Sequence, residues 1–218
     1  MHNISVFDKC LKQKCIIQSI DTVVGAISQD MATHILTMIP ADARKTMQLA
    51  AKLPLAEDCR YELSANVNVT DGLANGASGV IKQINLANSN SFNASGVVWM
   101  LFDDQHVGTH TRADSRALYT ADTDPQWTPV TPLCRQFQVG RSHSNQQFPL
   151  RQSAAKTIHR SQGDTLDQVI VDFTLYRRKA HTHYVALSRV RTLDGLFILN
   201  LFDNKIQLRK TGNGSSES

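Results

Sequence analysis

Short apolar runs dominate the hydrophobic pattern towards the end of the chain. Two of them, each of strand length, occupy residues 168–173 and 195–199, and uninterrupted runs of this kind predict buried strands. A run that begins at Tyr184 lies between them and predicts a helix that ends in Arg189 and Arg191. The order of strand, helix and strand predicts a βαβ unit, in which polar site residues lie at the ends of the elements.

Earlier parts of the chain show other patterns. Residues 41–52 consist of strong helix formers, with Pro40 before them and Pro54 after them, and predict a helix. Shorter apolar runs predict strands at residues 15–20, 80–84, 97–102 and 133–139. Because no helical period is visible between residues 80 and 150, this stretch predicts a small β-rich domain.

Two polar runs stand beside the predicted βαβ unit. Residues 157–163 read Thr-Ile-His-Arg-Ser-Gln-Gly, and the run from Tyr184 reads Tyr-Val-Ala-Leu-Ser-Arg-Val-Arg-Thr-Leu-Asp-Gly. Hydroxyl, imidazole, guanidinium and carboxamide groups on one short turn suit polar contact with phosphate or sugar. The alternative is that Thr157 and Ser161 cap a helix, Gly163 ends it, and the arginines lie on a solvated face.

In this order and spacing, the two runs resemble the fifth and sixth sequence motifs of superfamily 1 helicases, in the form found in the PIF-type (petite-integration-frequency) DNA helicases. The resemblance implies an α/β fold, with a RecA-like parallel-sheet domain and an inserted small Src-homology-3-like β-barrel. The implied boundaries are 1–79 for the first part of the RecA-like domain, 80–147 for the barrel, 148–210 for the part with the motifs and 211–218 for a flexible tail.

The resemblance also implies roles for single residues. Those expected to bind nucleic acid are Thr157, His159, Arg160, Ser161 and Gln162. Gly163 and Arg189 are expected to bind nucleotide, and Arg189 is the expected catalytic residue, an arginine finger that reaches the γ-phosphate. Arg160 stands where the family more often has lysine, and His159 fits a structural hydrogen bond as well as a contact to nucleic acid. Arg191 is expected to form a structural ion pair, with Asp194 as a candidate partner.

ATP and Mg²⁺ bind between two RecA-like domains in the family. The phosphate-binding loop that this requires has a glycine followed by lysine, and none of the eleven glycines of this chain precedes a lysine. We therefore expect the carboxy-terminal portion of a 5′-to-3′ ATP-dependent DNA helicase that binds single-stranded DNA, has no ATPase activity alone and needs a first RecA-like domain in cis or in trans. Two alternatives are a non-catalytic single-strand-binding module and a regulatory fragment that associates with an intact helicase.

Composition and charge agree with this interpretation. The chain has 218 residues, 41% of them apolar, and a net charge of +4. Residues 135–191 carry ten Lys or Arg against three Asp, a net charge of +7, which is the electrostatic footprint of a phosphate-backbone binder, although a solvated charged face has the same composition. No signal peptide or membrane-spanning run is visible, so we expect an intracellular location, nuclear or mitochondrial, and no membrane partner.

Cysteine, histidine and aromatic residues bear on three further questions, which are disulfide bonds, metal sites and base stacking. The four cysteines are irregularly spaced and favour reduced thiols over disulfides. The histidine pairs at 106 and 110 and at 181 and 183 have no third ligand at a useful spacing, so we expect no metal site. Trp99, Phe102 and Trp127 are candidate platforms for stacked bases. The apolar context of Trp99 and Phe102 favours core packing instead, and Trp127 stays open between the two roles.

Overall fold

The computed structural model describes residues 8, 12–23, 28–40, 42–86, 95–139, 141–159, 161–172 and 180–199. The chain divides into two units, Met1–Ala155 and Lys156–Ser218. Arg160, from the expected nucleic-acid-binding set, and the expected tail at 211–218 lie outside the described residues.

The first unit is built mainly from antiparallel strands. Its described strands are β1 (Lys14–Gln18), β2 (Ile20–Val23), β3 (Lys52–Ala56), β4 (Arg60–Leu63), β5 (Ser78–Leu86), β6 (Gly96–Phe102), β7 (Thr128–Val130), β8 (Leu133–Val139), β9 (Arg141–Gln147) and β10 (Leu150–Gln152). Its described helices are α1 (Gln29–Thr37) and α2 (Thr109–Asp114), with short 3₁₀ turns at Ala43–Lys45, Val69–Asp71 and Arg116–Leu118. The strands that were predicted at residues 80–84, 97–102 and 133–139 are confirmed as parts of β5, β6 and β8.

These strands form three sheets. The largest has the order β10-β4-β5-β6-β7, the second has the order β2-β9-β8, and β1 pairs with β3 alone. The segment that was expected to form a barrel, residues 80–147, therefore contributes its strands to open sheets, and no closed barrel is found among the described residues. Strands β4 and β10, from either side of that segment, join the largest sheet.

The core of the first unit lies against the largest sheet. It is built from buried apolar side chains such as Leu63, Ile81 and Met100. Trp99 is only 1% exposed, and its ring packs edge-on against Tyr119 with 4.7 Å between the ring centroids. Phe102 is also buried, so packing in the core, rather than base stacking, is confirmed for these two aromatics.

The helix predicted at residues 41–52 is wrong. Among the described residues 42–52, only the 3₁₀ turn Ala43–Lys45 is helical. Met47 and Gln48 have positive φ angles of 55° and 68°, and Lys52 already belongs to β3. Pairing of β3 with β1 places Leu53 opposite Ile17, and both side chains are buried. Burial of this pair outweighs the helix propensity of the segment, which amounts to a few tenths of a kcal/mol per residue.

The second unit contains the predicted βαβ unit. Strand β11 (Val169–Asp172) is followed by α3 (Ala180–Leu187), a 3₁₀ turn at Leu193–Gly195 and β12 (Leu196–Leu199). Strands β11 and β12 are parallel, with Val171 opposite Ile198. Val171 packs with Ala186 of α3, so the helix covers one face of the strand pair. None of the helices in the part of the chain that the structure describes is long and apolar enough to span a membrane.

Candidate nucleic-acid interface

Residues 157–163, called the polar turn below, form hydrogen-bonded turns and no helix at the described positions, which are all but Arg160. The amide of Ser161 donates to the carbonyl of Thr157 at 3.1 Å, and the Ser161 hydroxyl donates to the carbonyl of Ile158 at 2.9 Å. Gly163 has a φ angle of 95°, in the left-handed region that glycine adopts without strain. The described residues show no helix at this place for Thr157 and Ser161 to cap, so the helix-cap alternative is wrong.

The polar turn presents several of the expected nucleic-acid-binding groups. Thr157, His159 and Gln162 are exposed, whereas Ser161 is half-buried. Ile158 points the other way, because it packs against the small core around Val171 and Ala186. One apolar side chain therefore anchors the turn, and its polar neighbours face solvent, where a phosphate or sugar could meet them.

An ion pair joins the two ends of the polar turn. The ammonium of Lys156 lies 3.1 Å from a carboxylate oxygen of Asp164, and the two side chains are 16% and 32% exposed. The amide of Asp164 also donates to the carbonyl of Ser161 at 3.0 Å. The turn is therefore closed both by its main chain and by a partly buried charge pair.

Helix α3 ends at Leu187, so Ser188, Arg189 and Arg191 lie beyond it. The sequence predicted a helix that ends in the two arginines, and this is wrong by one turn. The Ser188 hydroxyl donates to the carbonyl of Val185 at 3.1 Å and accepts from the Arg189 guanidinium at 3.0 Å. These bonds satisfy groups that the last turn of a helix leaves without partners inside the helix.

The Arg189 side chain connects α3 with the polar turn. Its Nε donates to the carbonyl of Val185 at 3.1 Å, and its Nη1 donates to the carbonyl of Asp164 at 3.3 Å. The guanidinium is thus hydrogen-bonded within the second unit. Its expected role as an arginine finger stays a prediction.

Main-chain bonds of Leu166 run beside this contact. The Leu166 amide donates to the carbonyl of Arg189 at 2.8 Å, and the Leu166 carbonyl accepts from the amide of Arg191 at 2.9 Å. Leu166 and Val190 therefore form a parallel bridge, called the Leu166 bridge below. It holds the chain that follows the polar turn against the chain that follows α3.

Arg191 forms an ion pair, although not with the expected partner. Its Nε lies 3.4 Å from a carboxylate oxygen of Asp167, and both side chains are largely exposed, at 65% and 85%. Asp194 was the candidate from sequence. The Leu166 bridge explains the difference, because it aligns Arg191 with the residue that follows Leu166. An exposed pair at this distance contributes little to stability.

The comparisons with known proteins bear on this site. No protein-family model matches the chain. The rat ATP-dependent DNA helicase PIF1 is 29% identical over 174 residues, which are 77% of this chain and 23% of the rat protein. The human ATP-dependent DNA helicase PIF1 is 34% identical over 163 residues, which are 70% of this chain and 21% of the human protein. The chain belongs to the PIF-type helicase family. It spans less than a quarter of the length of these curated relatives.

Solved PIF-type structures have a similar fold. The crystal structure of the Pif1 helicase from Candida albicans matches with a TM-score of 0.58 at 22% identity, over 91% of this chain and 42% of that one. The Bacteroides Pif1 helicase in complex with ADP-AlF3 and single-stranded DNA matches with a TM-score of 0.52 at 20% identity, over 90% of this chain and 37% of that one. These matches establish a PIF-type fold of mixed parallel and antiparallel sheets.

The groups that hold the candidate site together were not predicted from the sequence. Lys156, Asp164 and Leu166 act through an ion pair and main-chain bonds, and none of them was singled out. One signal was available for the ion pair, since opposite charges directly flank the polar turn. No signal existed for Leu166, because its contribution comes from its amide and carbonyl. In the part of the chain that the structure describes, no group of three or more His, Cys, Asp or Glu could hold a metal ion.

Proposed function

We propose that the chain is the carboxy-terminal portion of a 5′-to-3′ ATP-dependent DNA helicase. In this proposal, the polar turn binds the backbone of single-stranded DNA, and Arg189 acts as an arginine finger. The observation that carries the proposal is the direct connection of the two motif segments. The Leu166 bridge and the bond from Arg189 to Asp164 join the polar turn to the end of α3, so the group that would bind DNA and the group that would bind nucleotide belong to one small unit.

Binding by the polar turn would be independent of base sequence. The exposed Thr157 hydroxyl and Gln162 carboxamide can both donate to phosphate oxygens, and the imidazole of His159 can donate as well. Contacts of this kind fix the position of the strand without reading its bases. The Bacteroides relative was solved with single-stranded DNA, which supports a single strand as the ligand.

Arg189 fits a nucleotide phosphate by its chemistry. A guanidinium has five N–H donors, and here it uses some of them on the neutral carbonyls of Val185 and Asp164. Charged phosphate oxygens form stronger bonds than neutral carbonyls, so the guanidinium could exchange one for the other. Gly163 would let a phosphate approach the main chain, since no atom beyond the glycine and its two chain neighbours lies within 4 Å of the place that a Cβ would occupy. Bound ATP would supply the phosphoanhydride bond whose hydrolysis drives the motor.

Magnesium would be held by a partner domain in this proposal. A Mg²⁺ ion at a nucleotide needs carboxylate or hydroxyl ligands beside the phosphates. The described residues contain no cluster of three or more His, Cys, Asp or Glu. We therefore assign both Mg²⁺ and the phosphate-binding loop to a first RecA-like domain, joined in cis or in trans. The second unit would belong to the second RecA-like domain, and residues 80–147 would be the counterpart of the inserted barrel, which their antiparallel strands support.

A salt titration of DNA binding tests the first part of the proposal. Fluorescence anisotropy of labelled oligo-dT should show binding by the chain, with the logarithm of the affinity falling linearly with the logarithm of salt concentration, by about 0.7 for each phosphate contacted. Unlabelled duplex should compete poorly. Absence of oligo-dT binding at the lowest salt would contradict the proposal.

The second candidate function is a non-catalytic single-strand-binding module. It is favoured by the hydrogen bonds that Arg189 makes within its own unit, since these bonds give the guanidinium a structural role that requires no nucleotide. The two candidates differ once the chain is fused to the first RecA-like domain of a PIF-type relative. ATP hydrolysis stimulated by single-stranded DNA would support the helicase, whereas DNA binding without turnover would support the module.

A further inference from the structure

The ion pair between Lys156 and Asp164 is less exposed than the other ion pair among the described residues of the second unit. Its atoms are 3.1 Å apart, and its side chains are 16% and 32% exposed. The pair between Arg191 and Asp167 has a longer separation of 3.4 Å and exposures of 65% and 85%. A charge that is partly removed from water interacts more strongly with its partner and costs more when that partner is lost. The Lys156 pair therefore constrains the chain, and the Arg191 pair is a natural control.

Asp164 connects two parts of the site at once. Its side chain holds Lys156 at the start of the polar turn, and its carbonyl accepts from the guanidinium of Arg189. Its amide donates to the carbonyl of Ser161. The position of this one residue thus sets the closure of the turn and the location of the guanidinium.

We propose that Lys156 and Asp164 are a positioning pair that keeps the polar turn in its binding conformation and seats Arg189 against it. The inference rests on the proposed function. Neither residue has to touch the DNA for this role. The pair acts through Ser161 and Arg189, whose bonds depend on where the main chain of Asp164 lies.

A pure charge effect and a loss of positioning predict opposite changes in DNA affinity for Asp164→Asn. The change Asp164→Asn removes a negative charge near a DNA-binding turn, so long-range electrostatics would tighten binding. Loss of positioning would weaken it. The change Lys156→Gln weakens binding in either case, but a direct phosphate contact would also reduce the salt slope by about 0.7. A positioning residue would leave the slope unchanged.

The test measures oligo-dT affinity at several salt concentrations for four proteins and two controls. We expect Lys156→Gln and Asp164→Asn to weaken binding about fivefold to tenfold at an unchanged slope, which is less than the loss of a fully buried pair would cause, because both side chains are partly exposed. The double variant Lys156→Asp with Asp164→Lys should return to within about threefold of wild type, because the pair is restored with its charges exchanged. The control variants Asp167→Asn and Arg191→Gln should show only the small long-range effect of one charge, slightly tighter binding for the first and slightly weaker binding for the second.

Hydrogen exchange gives a second readout that needs no DNA. The amides of Ser161 and Leu166 are hydrogen-bonded across the site, and both should exchange faster in Asp164→Asn while the amides of β11 stay protected. If wild type fails to bind oligo-dT, the proposed function is wrong, and exchange at these two amides still decides whether the pair holds the turn.

Several results would overturn the positioning pair. They are tighter binding by Asp164→Asn, a salt slope reduced in Lys156→Gln, a folded double variant that stays as weak as the single ones, and unchanged exchange at Ser161 and Leu166. Where Asp164→Asn does not fold, Asp164→Glu keeps the charge and moves the carboxylate by one methylene. The pair then predicts weaker binding at an unchanged slope, and binding equal to wild type would count against it.

Discussion

The guanidinium of Arg189 donates to the main-chain carbonyl of Asp164 at 3.3 Å, across 25 residues of sequence. Both residues flank a proposed functional segment, one at the end of α3 and the other at the end of the polar turn. A change in the conformation of the turn would therefore move the acceptor that holds the guanidinium. This gives the unit a short physical route between the proposed DNA contact and the proposed arginine finger, without an intervening side chain.

The first prediction concerns Arg189 and Arg191. In the chain fused to a first RecA-like domain, Arg189→Lys should lower kcat by about a thousandfold. The ammonium of lysine is a point charge and cannot form the two parallel hydrogen bonds that a planar guanidinium makes to a phosphate. Arg191→Lys should be mild, since the exposed pair with Asp167 can be kept by either cation. Steady-state ATPase assays at saturating oligo-dT measure both effects.

Binding measurements on the same two variants provide the control. The affinity of Arg189→Lys for oligo-dT should stay within about threefold of wild type, because the Leu166 bridge still holds the end of the polar turn. If Arg191→Lys lost the activity and Arg189→Lys kept it, the assignment of the finger would be wrong even though the family membership stands.

The second prediction concerns Arg160. This residue lies outside the described residues, so the prediction rests on its place in the polar turn. Arg160→Ala should weaken binding to single strands of any base composition and lower the salt slope by about 0.7, the value for one phosphate contact. Anisotropy titrations with oligo-dT and with a mixed-sequence strand of equal length measure this. An unchanged salt slope would show that Arg160 does not contact phosphate.

Some of the fold could be predicted because local signals and tertiary structure agree. Strands β11 and β12 lie within the apolar runs at 168–173 and 195–199, and the polar run before them forms a turn that closes at Gly163. In each case the sequence feature and the packing demand the same conformation. The parallel pairing of these strands was predictable for the same reason, since a helix-forming run separates them.

Other features depend on contacts that the sequence does not reveal. Residues 41–52 have the composition of a helix, yet pairing with β1 makes Lys52–Ala56 a strand. The ion-pair partner of Arg191 is Asp167 and not Asp194, because the Leu166 bridge sets the alignment. Long-range main-chain bonds carry no residue signature, so the positions that they determine stay hidden until the fold is known.

The third prediction compares two glycines of the second unit. A Cβ on Gly195 would overlap the carbonyl oxygen of Asp167, whereas a Cβ on Gly163 would meet open space at a φ angle of 95°. Gly195→Ala should therefore cost about 3 kcal/mol through forced main-chain movement, and Gly163→Ala about 1–2 kcal/mol through left-handed strain alone. Hydrogen exchange at the amides of residues 166–172 measures the difference. Equal protection in the two variants would show that the close approach at Gly195 can relax.

The last prediction concerns Asp71 and the start of helix α2. Gly108 precedes this helix and has no side chain to cap it, and a Cβ there would overlap Thr128. Asp71, buried at 4% exposure, supplies the cap from a distant part of the chain. Its carboxylate accepts from the amides of His110 and Thr111, both at 2.8 Å, and from the Thr111 hydroxyl at 2.6 Å. These bonds satisfy donors that a helix leaves open at its start.

The same contacts give this cap a pH dependence. Burial raises the pKa of Asp71, but the hydrogen bonds from Thr111 and from the amide of His110 outweigh it, so the net pKa lies below its usual value. A carboxyl whose pKa is lowered by folding contributes stability above its unfolded pKa of about 4, and this contribution is lost as pH falls through the folded pKa.

The change Asp71→Asn should lower the free energy of unfolding by about 1–3 kcal/mol at neutral pH. The reason is that an NH₂ group then replaces one carboxylate oxygen and faces N–H or O–H donors that it cannot accept from. Urea unfolding at a series of pH values should show the gap between wild type and Asp71→Asn shrinking below about pH 4, while the exposed control Asp122→Asn stays parallel to wild type. A gap that stays constant down to acid pH would mean that the Asp71 carboxylate does not stabilise the helix by its charge.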